Sequence, residues 1–317
     1  AFASFEMTIR TVDVNLDGNT SISGATDLDD AQMLALNLQF IELDRSKDAT
    51  VYDALKPDRV TDNRVLPGFF VGVPGSVGFQ VNSGSLTFAS IKANPDATKS
   101  VDVNRSYTLI LADVQGASFV GLPDGIVIEA TRLNFASSSS SLPNIGLDWT
   151  KAIDLQPSDT IFDADLIYVG SQLINITAAD AGLSIGGALK LNIMGYVLAA
   201  GAFSFEQSYG LSGSDGAITL TNASGQRLAL SDLYFFVGTN GAFIEDADGN
   251  VTGLDTSNAI GFSVQNASLD LVMVKDGATT RSWMGVAANI DAMAIHGLPD
   301  SFDLEILKLA LRYNGQA

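Results

Sequence analysis

Along most of the chain, apolar and polar side chains alternate one for one. The alternation is clear in Phe5 to Val14, Gly78 to Ala89, Tyr107 to Val114, Ile126 to Phe135, Ala188 to Val197, Ala217 to Leu220, Gly261 to Val274, Arg281 to Ala294 and Phe302 to Tyr313. A period of two with β-branched and aromatic enrichment predicts strands. Short polar breaks separate them, and Lys275-Asp276-Gly277 carries an Asp-Gly pair that tolerates the positive φ of favoured hairpin turns, so antiparallel pairing is expected. Helical patterning is confined to Asp29 to Leu38, with Asp27 or Asp29 available as a cap. The expected fold class is all-β, built as antiparallel β-sandwich or flattened β-roll units in tandem. A parallel β-solenoid is the alternative, but a constant coil of about 20 residues and a ladder of repeated side chains are both missing.

The same short strings return in the same order. Ser4-Phe5-Glu6 returns as Ser204-Phe205-Glu206, Leu34-Ala35-Leu36 as Leu228-Ala229-Leu230, and Phe69-Phe70-Val71-Gly72 as Phe235-Phe236-Val237-Gly238. Gly78 to Leu86 returns loosely as Gly261 to Leu269, and Gly121-Leu122-Pro123-Asp124 as Gly297-Leu298-Pro299-Asp300. Five matches in one order predict a duplicated unit. Residues 1–199 form the first unit, with an internal boundary near 137–145 at the run Ser137 to Ser141 and Pro143, which reads as a linker. Residues 200–317 form a truncated second unit. Loop insertions separate the copies, between Asn37 and Pro67 in the first and near Glu245 to Asn258 in the second. The chain opens inside a strand and stops part-way through a unit, which reads as a fragment of a longer array.

Composition then narrows the partners. The 317 residues include 36 Asp or Glu against 17 Lys or Arg, a formal charge of -19, and such a surface repels phosphate backbones, so no nucleic acid partner is expected. Divalent cations suit it. No apolar run reaches the roughly 18 to 20 residues of a membrane-spanning helix, and no membrane insertion is expected. With no cysteine and a single histidine, His296, the chain has no thiolate and no imidazole pair for zinc. His296 stands where the first unit has Val120, which reads as packing, and Trp149 and Trp283 lie in alternating contexts that read as core. Neither a phosphate-cradling glycine loop nor a dinucleotide fingerprint appears, so no enzymatic function is expected.

Two acidic loops are candidate calcium sites. In the first, Asp13, Asn15, Asp17, Asn19 and Ser21 alternate around Gly18, which matches the opening of a loop that wraps a hard cation in oxygen ligands. The twelfth position is Gly24 where a bidentate carboxylate belongs, so the missing oxygen would come from Asp27, Asp29 or Asp30. The competing reading is an Asx-rich turn whose side chains bond their own backbone. The second loop, Asp246, Asp248, Asn250 and Asp255, has half of the same pattern and equally suits an exposed hairpin tip.

The succession of Ser-Phe-Glu, Phe-Val-Gly, Gly-Phe-x-Val and Gly-Leu-Pro-Asp, with Asp148-Trp149 after the first copy, resembles the tandem β-rich repeats of giant bacterial surface and adhesin-like proteins. The resemblance implies an exported, very long parent chain in which such units serve as stalk, filament or matrix, stiffened by Ca2+. It implies extracellular or cell-surface localisation and neighbouring units of the same or identical chains as partners. The alternative function is an adhesive module that grips a glycan or a host or cell-surface protein through the inserted loops.

Overall fold

The computed structural model describes residues 3–18, 22, 27–44, 65–73, 76–96, 102–142, 145–157, 161–214, 216–299 and 304–316. The alternating segments form strands: β1 (Ala3–Val14), β2 (Leu28–Phe40), the short β3 (Leu43–Asp44) and β4 (Val65–Leu66), β5 (Phe69–Gly72), β6 (Gly78–Lys92), β7 (Ser106–Val120) and β8 (Ile126–Ser140). Three two-residue strands follow, β9 (Ile153–Asp154), β10 (Tyr168–Val169) and β11 (Gln172–Leu173). Then come β12 (Gly182–Ile193), β13 (Val197–Ser214), β14 (Thr219–Thr239), β15 (Ala242–Glu245), β16 (Val251–Asp255), β17 (Ile260–Lys275), β18 (Ser282–His296) and β19 (Glu305–Gln316).

Thirteen of these strands join one sheet in the order β19-β18-β17-β14-β13-β12-β8-β7-β6-β2-β1-β9, with β5 added beside β6. Every pairing is antiparallel and the sheet does not close into a barrel. The fold is therefore all-β and antiparallel, as expected, and parallel solenoid coils do not form among the described residues. Strand β13 carries the chain across residues 199 and 200 without a break in the ladder.

Period two gives the sheet two unlike faces, because residues directly opposite each other project to the same side. One transverse row reads Phe5, Leu38, Leu86, Ala112, Phe135, Ile185, Phe205, Leu228, Leu271, Val286, Tyr313, apolar across eleven strands. The adjacent row on the other face is mixed: Glu6, Asn37, Thr87, Leu111, Ala136, Ser184, Glu206, Arg227, Val272, Gly285 and Asn314. Asn37 is buried there and donates its amide to the Thr87 hydroxyl at 2.8 Å.

The main core lies on that second face. Met33, Ala35, Ala89, Ile91, Tyr107 and Leu109 of the sheet pack against Leu147, Trp149, Ile153, Ile167, Val169 and Ile174, from the connection between β8 and β12. A smaller core buries Phe236, Leu198, Leu254 and Ala259 with Phe243 of the β15–β16 hairpin packed against it.

The fold departs from the sequence expectations in three places. Asp29 to Leu38 is not a helix but lies in β2. Apolar residues fill both alternations there, Met33 and Ala35 facing the core while Leu34, Leu36 and Leu38 face the other side, and the run mimics a helical stripe. The serine run is not a linker: Ser137 to Ser140 complete β8, and Ser138 is buried beneath the Trp149 indole, which donates to its hydroxyl at 3.3 Å. Pro143 lies outside the described residues. The strand expected over Ala188 to Val197 is a hairpin, reversed at Met194 and Gly195 with φ of 52° and 74°, two consecutive positive values of the kind that suit the twist of paired strands.

Candidate metal centre

The first acidic loop sits where β1 ends beside β9. Asp13 is opposite Asp154 in that ladder, and both are buried. Asp29 and Asp30 enter from the start of β2, which pairs with the same strand. Carboxylate oxygens of Asp13, Asp29 and Asp30 lie within 4.8 Å of one another, the one such cluster of three or more metal-ligating acids among the described residues. Asp30 adopts a positive φ of 54°, and its backbone N–H donates to Asp13 Oδ1 at 2.8 Å. Its carbonyl accepts from Asn94 Nδ2 at 3.2 Å.

Burial pushes the Asp13 carboxyl up to about 6, with the charges of Asp29, Asp30 and Asp154 adding to the rise and the Asp30 N–H opposing it. Near neutral pH the charged form is held at a cost that a cation would relieve. Three convergent carboxylates supply hard oxygen ligands of the type calcium takes, and further oxygens are needed to complete a shell of six to eight.

The structure sorts the expected ligands. Asp13 is in the cluster; Asn15 is buried next to it, but its Oδ1 accepts the Gly18 N–H at 2.8 Å. Asp27 is buried and accepts the Leu16 N–H at 3.1 Å, so these two side chains close the turn in the way an Asx-rich loop does. Asp17 is exposed beyond them. Asn19, Ser21 and Gly24 lie outside the described residues. Asp29 and Asp30 could be foreseen only as replacements for the missing twelfth ligand. Asp154 could not be foreseen at all, since it arrives from 141 residues along the chain through the pairing of β1 with β9.

The second loop does not converge. Asp246 Oδ1 accepts the backbone N–H groups of Asp248 and Asn250, each at 2.9 Å, and its Oδ2 accepts Asn250 Nδ2 at 3.0 Å, closing the tip of the β15–β16 hairpin. These bonds, with the Asn250 amide foremost, hold the Asp246 carboxyl below its ordinary range. Asp255 accepts the Ser257 hydroxyl and N–H at 2.6 and 3.0 Å, and these bonds lower its pKa also. These acids act as hairpin chemistry.

His296, expected only to pack, has a hydroxyl partner: its Nε2 lies 2.7 Å from Ser263 Oγ, and Ser263 is buried. The contact joins neighbouring strands β17 and β18, and no motif signals it because it is set by register.

No family model matches the chain, and no curated protein or solved structure matches it.

Proposed function

We propose that the chain is a structural module of a large secreted or cell-surface protein, non-enzymatic, in which repeated groups of strands extend one continuous sheet. The observation that carries this reading is the recurrence of the ladder. The row Leu86, Ala112, Phe135 on β6, β7 and β8 has its like in Leu269, Ala288, Leu311 on β17, β18 and β19. Phe79 opposite Phe119 corresponds to Phe262 opposite Ile295, and Phe69 opposite Val81 to Phe235 opposite Val264. Strands β2 and β5, both paired with β6, thus stand where the single strand β14 stands beside β17. Between the two groups, β12 and β13 pair over twelve positions, an interface suited to bearing load along the array.

Calcium has a role in this reading as a stiffener at Asp13, Asp29 and Asp30, where it would tie the ends of β1 and β2 together. The reading is tested by fractionating the source cells and blotting with an antibody raised against this chain. The expected result is a species much larger than 33.2 kDa in the surface or secreted fraction. A small species confined to the cytosol would refute it.

A further inference from the structure

Among the described residues β19 is the last strand of the sheet, and none of them pairs with its edge facing away from β18. Its counterpart in the recurring ladder, β8, has the same edge covered by β12, with Phe135 opposite Ile185, Leu133 opposite Gly187 and Glu129 opposite Lys190. We infer that the outer edge of β19 is a docking site for an extended segment with the side-chain pattern of β12, added antiparallel with Leu311 opposite the Ile185 position. This deepens the structural reading by naming the joining edge, its partner and its register.

Three observations carry it. The first is continuity of the ladder: through Ala288 and Ala112, Leu311 corresponds to Phe135, and stepping along the strands makes Leu309 the equivalent of Leu133 and Glu305 that of Glu129. The second is charge. Lys190 is the only charged residue of β12, and it reaches Glu129 at 2.7 Å because the ladder slips by one residue between Ala188 and Leu189. Glu305 stands, exposed, at the position along β19 that Glu129 has along β8, and meets the Lys190 position if the added strand slips likewise. The third is the state of the edge itself. Leu307, Leu309, Leu311 and Tyr313 are between 50% and 71% exposed, on a strand of twelve residues whose only positive charges are Lys308 and Arg312. Long apolar edges of this kind are templates for strand addition.

Shape adds specificity. A Cβ on Gly187 would lie 2.5 Å from the Arg132 carbonyl oxygen and 2.7 Å from Leu133 Cδ2, so the strand beside Leu133 needs glycine there. Leu309 imposes the same demand on a strand beside β19.

The test uses the full chain and a fluorescent, polyethylene-glycol-tagged peptide carrying the sequence of Gly182–Ile193, followed by anisotropy at low salt. Saturable binding is expected, at least tenfold tighter than a scrambled peptide. Glutamate at the Lys190 position should weaken it about fivefold, and the protein variant Glu305→Lys should restore it. Because the chain has no cysteine, Leu311→Cys offers a clean second readout. In a buffer of reduced and oxidised glutathione, which accepts the two electrons, a peptide with cysteine at the Ile185 position should form a disulfide with it in preference to cysteine at the Ser184 or Gly187 positions. Absence of saturable binding, equal yields at every position, or equal capture by Phe5→Cys at the opposite edge would overturn the inference. None of these failures would move the size or location of the parent species, so the two readings fail separately.

Discussion

Replacing Asp13 by asparagine isolates the electrostatic cost of the acidic cluster. The folded carboxyl is raised from 3.8 to about 6, so the folded state binds its proton more tightly than the unfolded chain does. A raised carboxyl contributes stability at low pH, and that contribution is lost as pH rises through about 6. A shift of about 2 units corresponds to about 3 kcal/mol at most, since each unit is about 1.4 kcal/mol. The asparagine side chain would keep an oxygen to accept the Asp30 N–H, now bound by Asp13 Oδ1 at 2.8 Å, while removing the buried charge. In chelator at pH 8, Asp13→Asn should therefore stabilise the fold by about 1 to 3 kcal/mol, a rise in melting temperature of roughly 2 to 6 °C in a chain of this size. At pH 4 the advantage should vanish, because the wild-type carboxyl is then protonated in the folded state. Added calcium should raise the melting temperature of the wild type and leave the variant nearly unmoved. The assay is thermal melting by circular dichroism at both pH values, in chelator and in millimolar calcium. A variant less stable than wild type at pH 8 in chelator, or an advantage of the same size at both pH values, would refute the electrostatic reasoning. Identical midpoints of the wild type in calcium and chelator would refute the calcium site alone.

Other perturbations probe the packing and the ladder. Trp149→Ala removes a fully buried indole from the main core and orphans the Ser138 hydroxyl, and a loss of about 3 to 5 kcal/mol is expected in denaturant titration. Gly182 has a φ of 133°, and a Cβ there would stand 1.8 Å from the Gln207 carbonyl oxygen, so Gly182→Ala should destabilise by at least about 1 to 3 kcal/mol and speed amide exchange at that end of β12 and β13. The Arg227–Asp270 pair, at 2.8 Å with both side chains about half exposed, should show a coupling below about 1 kcal/mol in a double-mutant cycle, shrinking further with salt.

The strands were legible because alternation reports one buried face directly. The turn at Asp276 was legible too: its carboxylate accepts the Thr279 hydroxyl at 2.5 Å and the Ala278 N–H at 3.3 Å, anchoring the hairpin expected from the Asp-Gly pair. Register was less accessible. Leu34-Ala35-Leu36 and Leu228-Ala229-Leu230 match as strings, yet β2 sets Leu36 and Leu38 opposite Phe88 and Leu86, and β14 sets Leu228 and Leu230 opposite Leu271 and Leu269. The string match is therefore two residues out of step with the recurring ladder. A slip of two keeps every side chain on its face, so a run of alternating leucines cannot fix it. The longer Phe-Phe-Val-Gly match holds its register, because Gly72 and Gly238 pair with Gly78 and Gly261, at points where added Cβ atoms would fall 2.1 to 2.9 Å from the facing backbone. The acidic cluster was half legible. Asp13 announced itself through spacing, whereas Asp154, whose charge adds to the rise of the Asp13 carboxyl, comes to stand opposite it through a two-residue strand far along the chain that has no pattern of its own.

The central claim is that the two groups of strands form one sheet through β12 and β13. Hydrogen exchange of the intact chain, read by mass spectrometry, tests it most directly. Amides of Gly182–Ile193 and Val197–Ser214 are expected to be protected as strongly as those of β7 and β17, and to open together with them. Exchange in β12 and β13 orders of magnitude faster than in those strands, leaving two separately protected halves, would contradict it.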